Sequence, residues 1–234
     1  MRITSASSAF CVIDDLLPTA AQTAVWEAFH TEPMVHVRRH ALNVYGLCDG
    51  DPYRGQTTSS GNVRERAGMS SYPSGRAIDR VVEAIRDALP EVTPWSGREG
   101  NDWDFFSATP YIYPAGTGLS WHEDTVRQEA GLTDRRTASF ILYVHPEWRP
   151  NWGGELLVCD SGAAATGADS DPRRRRQDLV DAGIGTYVFP RPNRLVVLRS
   201  GLQHTIKKVD ASAGDNFRAS IAGFFHRVSE SQGV

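Results

Sequence analysis

Apolar positions recur with two different periods along the chain, and two stretches in its first half have the period of helices. From Pro18 to Phe29 apolar residues lie three and four positions apart, which gives a helix one buried face, and residues 30–33 end it. A second stretch with this spacing follows Ser74, which is placed to cap a helix at its N-terminus. We expect this second helix to end at Pro90, because proline disrupts a helix interior.

The remainder of the chain has the pattern of short strands. An apolar run at 10–13 precedes the first helix, and further runs follow Trp95: FFSATPYIY, TASFILYV, GELLVCD, TYVF, RLVVLRS, HTIKKV and RASIAGFFHR. Glycine, proline, asparagine and aspartate separate these runs, and the gaps between them have no helical pattern. Many short strands separated by turns predict an antiparallel sandwich or barrel. Two helices ahead of such a block predict an α+β domain in which the helices brace one face of the sheet.

Two segments have neither period. Residues 46–75 are rich in glycine, serine, threonine and arginine, which predicts a long, partly mobile loop. Residues 160–186 contain four consecutive arginines, 173–176, among aspartates. This composition indicates either a solvated insertion in a hairpin or a mobile lid whose arginines meet an anionic substrate.

Composition narrows the class of protein. The chain has 234 residues, of which 40% are apolar and 23% charged, as in a globular protein with a full core. It contains no linker or repeat, so we expect one domain, with helical support and a loop in 1–95 and the β core, including the insertion, in 96–228. The net charge of −3 argues against a nucleic-acid partner, and no run approaches the ~18 apolar residues of a membrane span. With no visible secretory signal, and three cysteines that lack CxxC spacing, the expected location is cytoplasmic. The composition does not predict an oligomeric state.

Three residues have the types and spacing of a metal site. His122 and Asp124 are separated by one residue, and in an extended segment such positions point to the same side. This pair is a weak signal alone, but the apolar run RLVVLRSGLQ delivers a second imidazole, His204, at its end. Two neutral imidazoles and one carboxylate suit non-haem Fe(II) and leave three octahedral positions for other ligands. The other histidines are expected to be structural, hydrogen-bonded or exposed: His30, His36, His40, His145 and His226.

An arginine in the last β-run is the candidate anion-binding residue. Arg218 has apolar and small neighbours in FRASIAGFF, and a guanidinium inside a barrel is costly unless an anion meets it. Its planar fork matches a carboxylate at two points, and Ser220 on the same face would add a hydrogen bond. The alternative is that Arg218 faces solvent or pairs with an acidic side chain.

These motifs occur in an order that resembles a known family. The strings YPAGTGLSWHED, SFILYVHPEWRPNWGGELLV, PNRLVVLRSGLQHTIKKV and RASIAGFFH are similar to those of the Fe(II)- and 2-oxoglutarate-dependent oxygenases, and closest to the prolyl-hydroxylase-like branch. The resemblance covers roughly residues 10–228 and is strongest over 111–226. It implies a double-stranded β-helix, or jelly-roll, braced by the N-terminal helices.

The resemblance also implies roles for the site residues. His122, Asp124 and His204 would ligate Fe(II). Arg218, with Ser220, would bind the distal carboxylate of 2-oxoglutarate. Two further residues would line the pocket of the metal and cosubstrate: Tyr113 and Tyr143.

The chain departs from the family pattern at a few positions. His145 stands where relatives often have asparagine, and Arg218 stands where many prolyl hydroxylases have lysine. The insertion at 160–186 is unusually long. These differences concern the substrate rather than the metal site. Asp124 disfavours halogenation, because halogenating members lack the acidic ligand and so make room for chloride.

The implied activity couples oxidative decarboxylation of 2-oxoglutarate to hydroxylation, or a related C–H oxidation, of a small organic substrate. Its cofactors are Fe(II), the cosubstrate 2-oxoglutarate and dioxygen, with ascorbate as a candidate stimulant. The expected substrate is an amino acid or a natural-product intermediate; the alternatives are a peptidyl or protein hydroxylase and a non-catalytic barrel that binds metal and 2-oxoglutarate. The candidate substrate contacts, for which core or rim packing is the alternative, are Trp121, Arg127, Trp148, Trp152 and segment 46–75.

Overall fold

Two α-helices, two short 3-10 helices (Pro150–Trp152 and Ala211–Ala213) and sixteen strands are the regular elements in the part of the chain that the computed structural model describes. Helix α1 spans Thr19–Ala28 and helix α2 spans Asp79–Ser96. Neither is long and apolar enough to cross a membrane. The described residues are 1–37, 48–61, 69–124, 126–129, 132–159, 183 and 185–230, without the side chains of 126–129, 132, 133 and 230. The strands in chain order are β1 (Arg2–Ala6), β2 (Phe10–Asp14), β3 (Val35–His36), β4 (Cys48–Asp49), β5 (Tyr53–Arg54), β6 (Thr57–Ser59), β7 (Met69–Ser71), β8 (Phe105–Tyr113), β9 (Gly118–His122), β10 (Val126–Glu129), β11 (Leu132–Tyr143), β12 (Leu156–Val158), β13 (Thr186–Val188), β14 (Arg194–Arg199), β15 (His204–Ile206) and β16 (Arg218–Glu230).

The strands form two sheets. The larger sheet has the order β1-β2-β14-β11-β16-β8-β5-β3, with β10 paired to β11 and with β6 and β7 beside β8. The smaller sheet has the order β13-β12-β15-β9-β4. Neighbouring strands in sequence often lie in different sheets, which is the topology of a jelly-roll. The predicted double-stranded β-helix with two bracing helices is therefore confirmed.

Each face of the larger sheet packs against a different layer. On the outer face, Val81 and Ile85 of α2 belong to one buried cluster with Phe140 of β11. On the inner face, the next residue of β11, Ile141, belongs to a second cluster with Leu156 of the smaller sheet. Adjacent strand residues point to opposite faces, so one strand supplies both clusters. Each fully buried side chain of this size contributes about 1.5–3 kcal/mol to stability.

Helix α2 differs from the prediction at both ends. It begins at Asp79, whose carboxylate accepts hydrogen bonds from the backbone N–H and the hydroxyl of Ser74, so Ser74 lies before the helix instead of capping it. The predicted end at Pro90 is wrong, because the helix continues through that residue. Pro90 lies on the exposed face of α2. Proline has no N–H to donate to the carbonyl of Arg86, but at this exposed position that carbonyl can bind water instead. Val92, two residues later, is buried and holds the last turns against the sheet.

The predicted loop at 46–75 is wrong for the part that is described. This part contains β4 to β7, and β5 and β6 extend the larger sheet beside β8. Thr57 is buried, and its hydroxyl lies 2.8 Å from that of Thr109 on β8. Strands of two or three polar residues are too short to show alternation, which explains why the sequence pattern missed them. Residues 62–68 lie outside the described residues, as does the insertion at 160–186 apart from its end.

Candidate active site

The three predicted metal ligands meet on the smaller sheet. His122 ends β9 and His204 begins β15, and the two residues are paired directly across these strands. Asp124 follows two residues after His122, and the three ligand atoms lie within 4.8 Å of one another. The carboxylate of Asp124 is 3.9 Å from Nε2 of His122 and 3.4 Å from Nε2 of His204. The three donors therefore point at one common position.

Backbone carbonyls orient both imidazole rings in the same way. Nδ1 of His122 lies 2.7 Å from the carbonyl oxygen of Ser120, and Nδ1 of His204 lies 2.8 Å from that of Leu202. A carbonyl only accepts, so each Nδ1 carries the proton and donates it. Each neutral ring then presents the lone pair of Nε2 towards Asp124. This is the outer-sphere support that metal-binding histidines need.

The charges of the site also suit a metal. Burial and the nearby His204 lower the pKa of His122, against the opposing effect of Asp124, so the imidazole is neutral near pH 7. Burial by itself raises the pKa of Asp124, but the two histidines, the Arg136 guanidinium and a hydrogen bond from Ser139 together hold it below its usual value. Two imidazoles and one ionised carboxylate are the donor set that fits octahedral Fe(II) with three positions left for other ligands.

Arg218 lies fully buried on the inner face of the larger sheet. Its Nε donates to the carbonyl of Gly154 at 3.0 Å, and its Nη1 donates to the hydroxyl of Ser220 at 3.1 Å. The rings of Tyr113 and Tyr143 lie 5.0 and 4.8 Å from the guanidinium carbon. Among the described residues, Nη2 of Arg218 and the hydroxyl of Tyr143 have no partner at hydrogen-bond geometry. We call these four side chains, Arg218, Ser220, Tyr113 and Tyr143, the Arg218 pocket; its two unpartnered polar groups fit a carboxylate.

Two consecutive glycines form the turn beside Arg218, and the second of them makes room for its side chain. Gly153 and Gly154 have φ of +69° and +72°, a region that disfavours other residues. A Cβ atom on Gly154 would lie 2.9 Å from Cδ of Arg218, so the turn before β12 needs a residue without a side chain there. The indole of Trp148 donates to the carbonyl of Gly153 at 2.8 Å and supports the same turn.

The candidate substrate contacts have different environments. Trp121 precedes His122 on β9 and is 39% exposed. Trp148 and Trp152 are both buried, with ring centroids 5.2 Å apart, and belong to the inner cluster. The side chain of Arg127 lies outside the described residues.

Four further side chains lie on the same sheet face as the Arg218 pocket and were not predicted individually, although Arg54 falls in the segment 46–75 that was a candidate substrate contact as a whole. Arg54, Tyr111, Arg136 and Phe224 lie on the inner face of the larger sheet, and we call them the Tyr111 wall. The guanidinium carbon of Arg136 lies 3.7 Å from the ring of Phe224, and its Nη1 lies 3.5 Å from the carboxylate of Asp124. Tyr111 could have been found from the alternation in β8, two residues before Tyr113. Arg54 carried no signal, because its strand has only two residues.

Two of the remaining histidines are buried and hydrogen-bonded, as expected. The ring nitrogens of His145 both face backbone carbonyl oxygens, at 3.1 and 2.7 Å. His226 lies between the hydroxyl of Ser107 and the carboxylate of Asp134, at 2.8 and 2.9 Å. His40 lies outside the described residues.

Comparison with solved structures finds the same fold in several oxygenases. A Pseudomonas putida prolyl-4-hydroxylase is 19% identical, covers 94% of this chain and 92% of its own, and superposes with a TM-score of 0.58. A prolyl hydroxylase from Trichoplax adhaerens is 16% identical, with coverage of 94% and 84% and a TM-score of 0.55. HygX from Streptomyces hygroscopicus, solved with nickel and 2-oxoglutarate, is 14% identical, with coverage of 93% and 82% and a TM-score of 0.57.

Sequence comparison identifies the family directly. Among curated proteins, none matches this chain. A family model described as the 2OG-Fe(II) oxygenase superfamily matches residues 108–226, which is half of the chain and includes the triad and the Arg218 pocket. The chain belongs to the 2-oxoglutarate- and Fe(II)-dependent oxygenase superfamily.

Proposed function

We propose that this dioxygenase hydroxylates a small organic molecule and that the Arg218 pocket binds its 2-oxoglutarate. The observation that carries the proposal is a buried guanidinium with one nitrogen unpartnered, inside the same barrel as the two histidines and the aspartate. A guanidinium without water around it is costly unless an anion meets it. 2-Oxoglutarate offers a distal carboxylate to Arg218 and a keto acid end to a metal.

The triad would hold the iron. His122 and His204 would bind it through Nε2, and Asp124 through its carboxylate. Iron and 2-oxoglutarate, when bound together, supply the oxidising power to hydroxylate a C–H bond with dioxygen. The chain's own contribution is to keep both imidazoles in one tautomer and the carboxylate ionised before the ion arrives, which the two backbone carbonyls and the Arg136 charge achieve.

The Arg218 pocket would orient the cosubstrate. Gly154 and Ser220 already hold two nitrogens of Arg218, so the third points in a fixed direction before an anion binds. Burial raises the pKa of Tyr143, which keeps its hydroxyl protonated and able to donate to the same carboxylate. The ring of Tyr113 covers the guanidinium and excludes water from it.

The substrate class is the open part of the proposal. Among the similar structures, HygX has also been solved with hygromycin B bound, and the Trichoplax adhaerens enzyme is in complex with a peptide fragment. The fold thus occurs with a small molecule and with a peptide.

Release of succinate from 2-oxoglutarate tests the proposal. With Fe(II) and ascorbate present, the parent should form succinate slowly alone and faster with a suitable small molecule. Asp124→Ala and His204→Ala should each lose iron-dependent release to background and lose stoichiometric binding of Fe(II). His30→Ala, which lies outside the site, is the matched control and should behave as the parent. Full activity of Asp124→Ala would overturn the metal assignment, and faster release with prolyl peptides alone would establish a peptidyl substrate instead.

A further inference from the structure

The two carboxylate oxygens of Asp124 have different surroundings. Oδ2 lies 3.4 Å from Nε2 of His204. Oδ1 lies 3.9 Å from Nε2 of His122 and 3.5 Å from Nη1 of Arg136. In an octahedral site with metal–ligand bonds of about 2.1 Å, neighbouring donor atoms lie about 3 Å apart. Of the two contacts between the carboxylate and an imidazole, the one that Oδ2 makes is closer to this separation, and Oδ1 is the oxygen that meets a guanidinium.

The number of oxygens that Asp124 gives to a metal decides how many positions remain for other ligands. If it gives one, the two histidines and this oxygen leave three octahedral positions, which suffice for the keto acid end of 2-oxoglutarate and for dioxygen. If it gives both, two positions remain and 2-oxoglutarate fills them. Dioxygen then has no position at the metal, so the site works only when one oxygen of Asp124 is kept away from the ion.

Arg136 is held with its guanidinium beside Oδ1. Its guanidinium carbon lies 3.7 Å from the ring of Phe224, and this stacking fixes the plane of the group. The side chain of Arg136 is 20% exposed and that of Asp124 is 9% exposed, so little water screens the two charges. The contact of 3.5 Å is therefore an ion pair in a mostly dry environment, where charges attract more strongly than they do at the surface.

The main chain of Asp124 is fixed as well. The hydroxyl of Ser200 donates to its carbonyl oxygen at 2.9 Å, and the N–H of Gly201 donates to the same oxygen at 3.4 Å. With the backbone held, the movement left to the carboxylate is rotation about its terminal bond, for which aspartate has only a broad preference. Arg136 opposes this rotation with a charge, and Ser139 opposes it with a hydrogen bond.

We propose that Arg136 is a positioning residue that holds Oδ1 of Asp124 away from the metal, so that the carboxylate binds through Oδ2 alone and one position stays open for dioxygen. This inference rests on the proposed function and concerns how the same site is kept open. Arg136 acts through Asp124 and touches neither 2-oxoglutarate nor dioxygen. Its charge also repels a cation at the triad, so its removal should strengthen metal binding and weaken binding at the open position. General damage to the site would weaken both.

Nitric oxide, which binds ferrous iron in the place of dioxygen, tests the proposal without turnover. Parent protein is loaded with Fe(II) and 2-oxoglutarate under nitrogen and titrated with nitric oxide, and the adduct is followed by electron paramagnetic resonance. Fe(II) and 2-oxoglutarate affinities are measured separately by calorimetry. Arg136→Gln should bind Fe(II) at least as tightly as the parent, bind 2-oxoglutarate as the parent does, and bind nitric oxide about tenfold or more weakly. Arg136→Lys, which keeps the charge without the fork, should lie between the two.

Two further variants serve as controls. Arg227→Gln removes an arginine of β16 that is 43% exposed and pairs with Asp104, away from the site, and it should behave as the parent in all three titrations. Phe224→Leu removes the ring on which Arg136 stacks but leaves the charge, and it should weaken nitric oxide binding less than Arg136→Gln does. Thermal unfolding of each variant checks that a change in binding does not come from loss of fold.

Two results would overturn the proposal. One is that Arg136→Gln binds nitric oxide with the affinity of the parent, because Asp124 would then leave the position open without help. The other is that the variant loses Fe(II) as strongly as nitric oxide, which would make Arg136 a support of the whole triad. Failure of the proposed function has a different signature, because it would appear as no effect of Arg218→Ala on 2-oxoglutarate binding, whatever the affinity for nitric oxide.

Discussion

The Arg218 pocket and the Tyr111 wall line the same face of one sheet but are built differently. The pocket comes from β8, β11 and β16, the strands at the centre of the sheet, and its arginine is fully buried. The wall adds Arg54 from β5, a strand of two residues near the sheet's edge, and its arginines are only partly buried. The comparison teaches that the proposed cosubstrate pocket is part of the core of the sheet, whereas the wall lies nearer the sheet's edge, where a substitution should disturb the fold less.

Arg218→Ala should have the largest effect and act on the pocket alone. Removing one partner from a buried charged contact costs about 2–5 kcal/mol, which corresponds to roughly 30- to 5,000-fold weaker binding of 2-oxoglutarate. Calorimetry with 2-oxoglutarate and Fe(II) under nitrogen measures this change. If 2-oxoglutarate binds the variant as it binds the parent, the pocket has another ligand and the contrast between the two regions disappears.

The sequence predicted the pocket better than the wall for a physical reason. Arg218 stands out because it is charged in a long apolar run, and burial of a charge has a strong cost that implies an anion. The His-x-Asp spacing likewise follows from the alternation of an extended segment. The order of these motifs over half the chain then predicted both the fold and the ligands.

The wall was missed because its residues depend on tertiary pairing. Arg136 lies where a bulge in β11 shifts the register, so simple alternation from Tyr143 does not predict its inward direction. Arg54 lies in the segment that was expected to be a loop, and only its pairing with β8 brings it to the inner face. Helix α2 was mispredicted for a similar reason: it continues through Pro90 because the burial of residues beyond the proline outweighs the local signal that would end the helix.

His145→Asn should change the pH dependence of stability behind the pocket. Burial, helped by the Arg218 charge, lowers the pKa of His145 to about 4, although two backbone carbonyls favour the charged form. Since the pKa falls on folding from its ordinary 6.5, this group's contribution is complete above pH 6.5 and is lost as the pH falls towards 4. The loss is on the order of 3 kcal/mol.

Urea unfolding at pH 7 and pH 4 measures this contribution. Asparagine can donate two N–H groups without gaining a charge, so the variant should lose less stability on acidification, and the difference between the two proteins should shift by roughly 3 kcal/mol. Parallel pH curves for parent and variant would show that His145 does not titrate on unfolding.

Gly154→Ala should have a smaller effect on stability and on 2-oxoglutarate binding. Its comparison with a control glycine separates the effect of packing from that of backbone strain. The new methyl group would lie 2.9 Å from Cδ of Arg218, inside the pocket, at a φ of +72°. Gly100→Ala is the matched control, because Gly100 has a φ of +79° and nothing within 4 Å of the added atom. Both variants should lose about 1–2 kcal/mol of stability from the positive φ. Only Gly154→Ala should also weaken 2-oxoglutarate binding, by about 1–3 kcal/mol from overpacking against Arg218. Equal 2-oxoglutarate affinities in the two variants would mean that the position of Arg218 tolerates displacement, and the pocket would then be as adaptable as the wall.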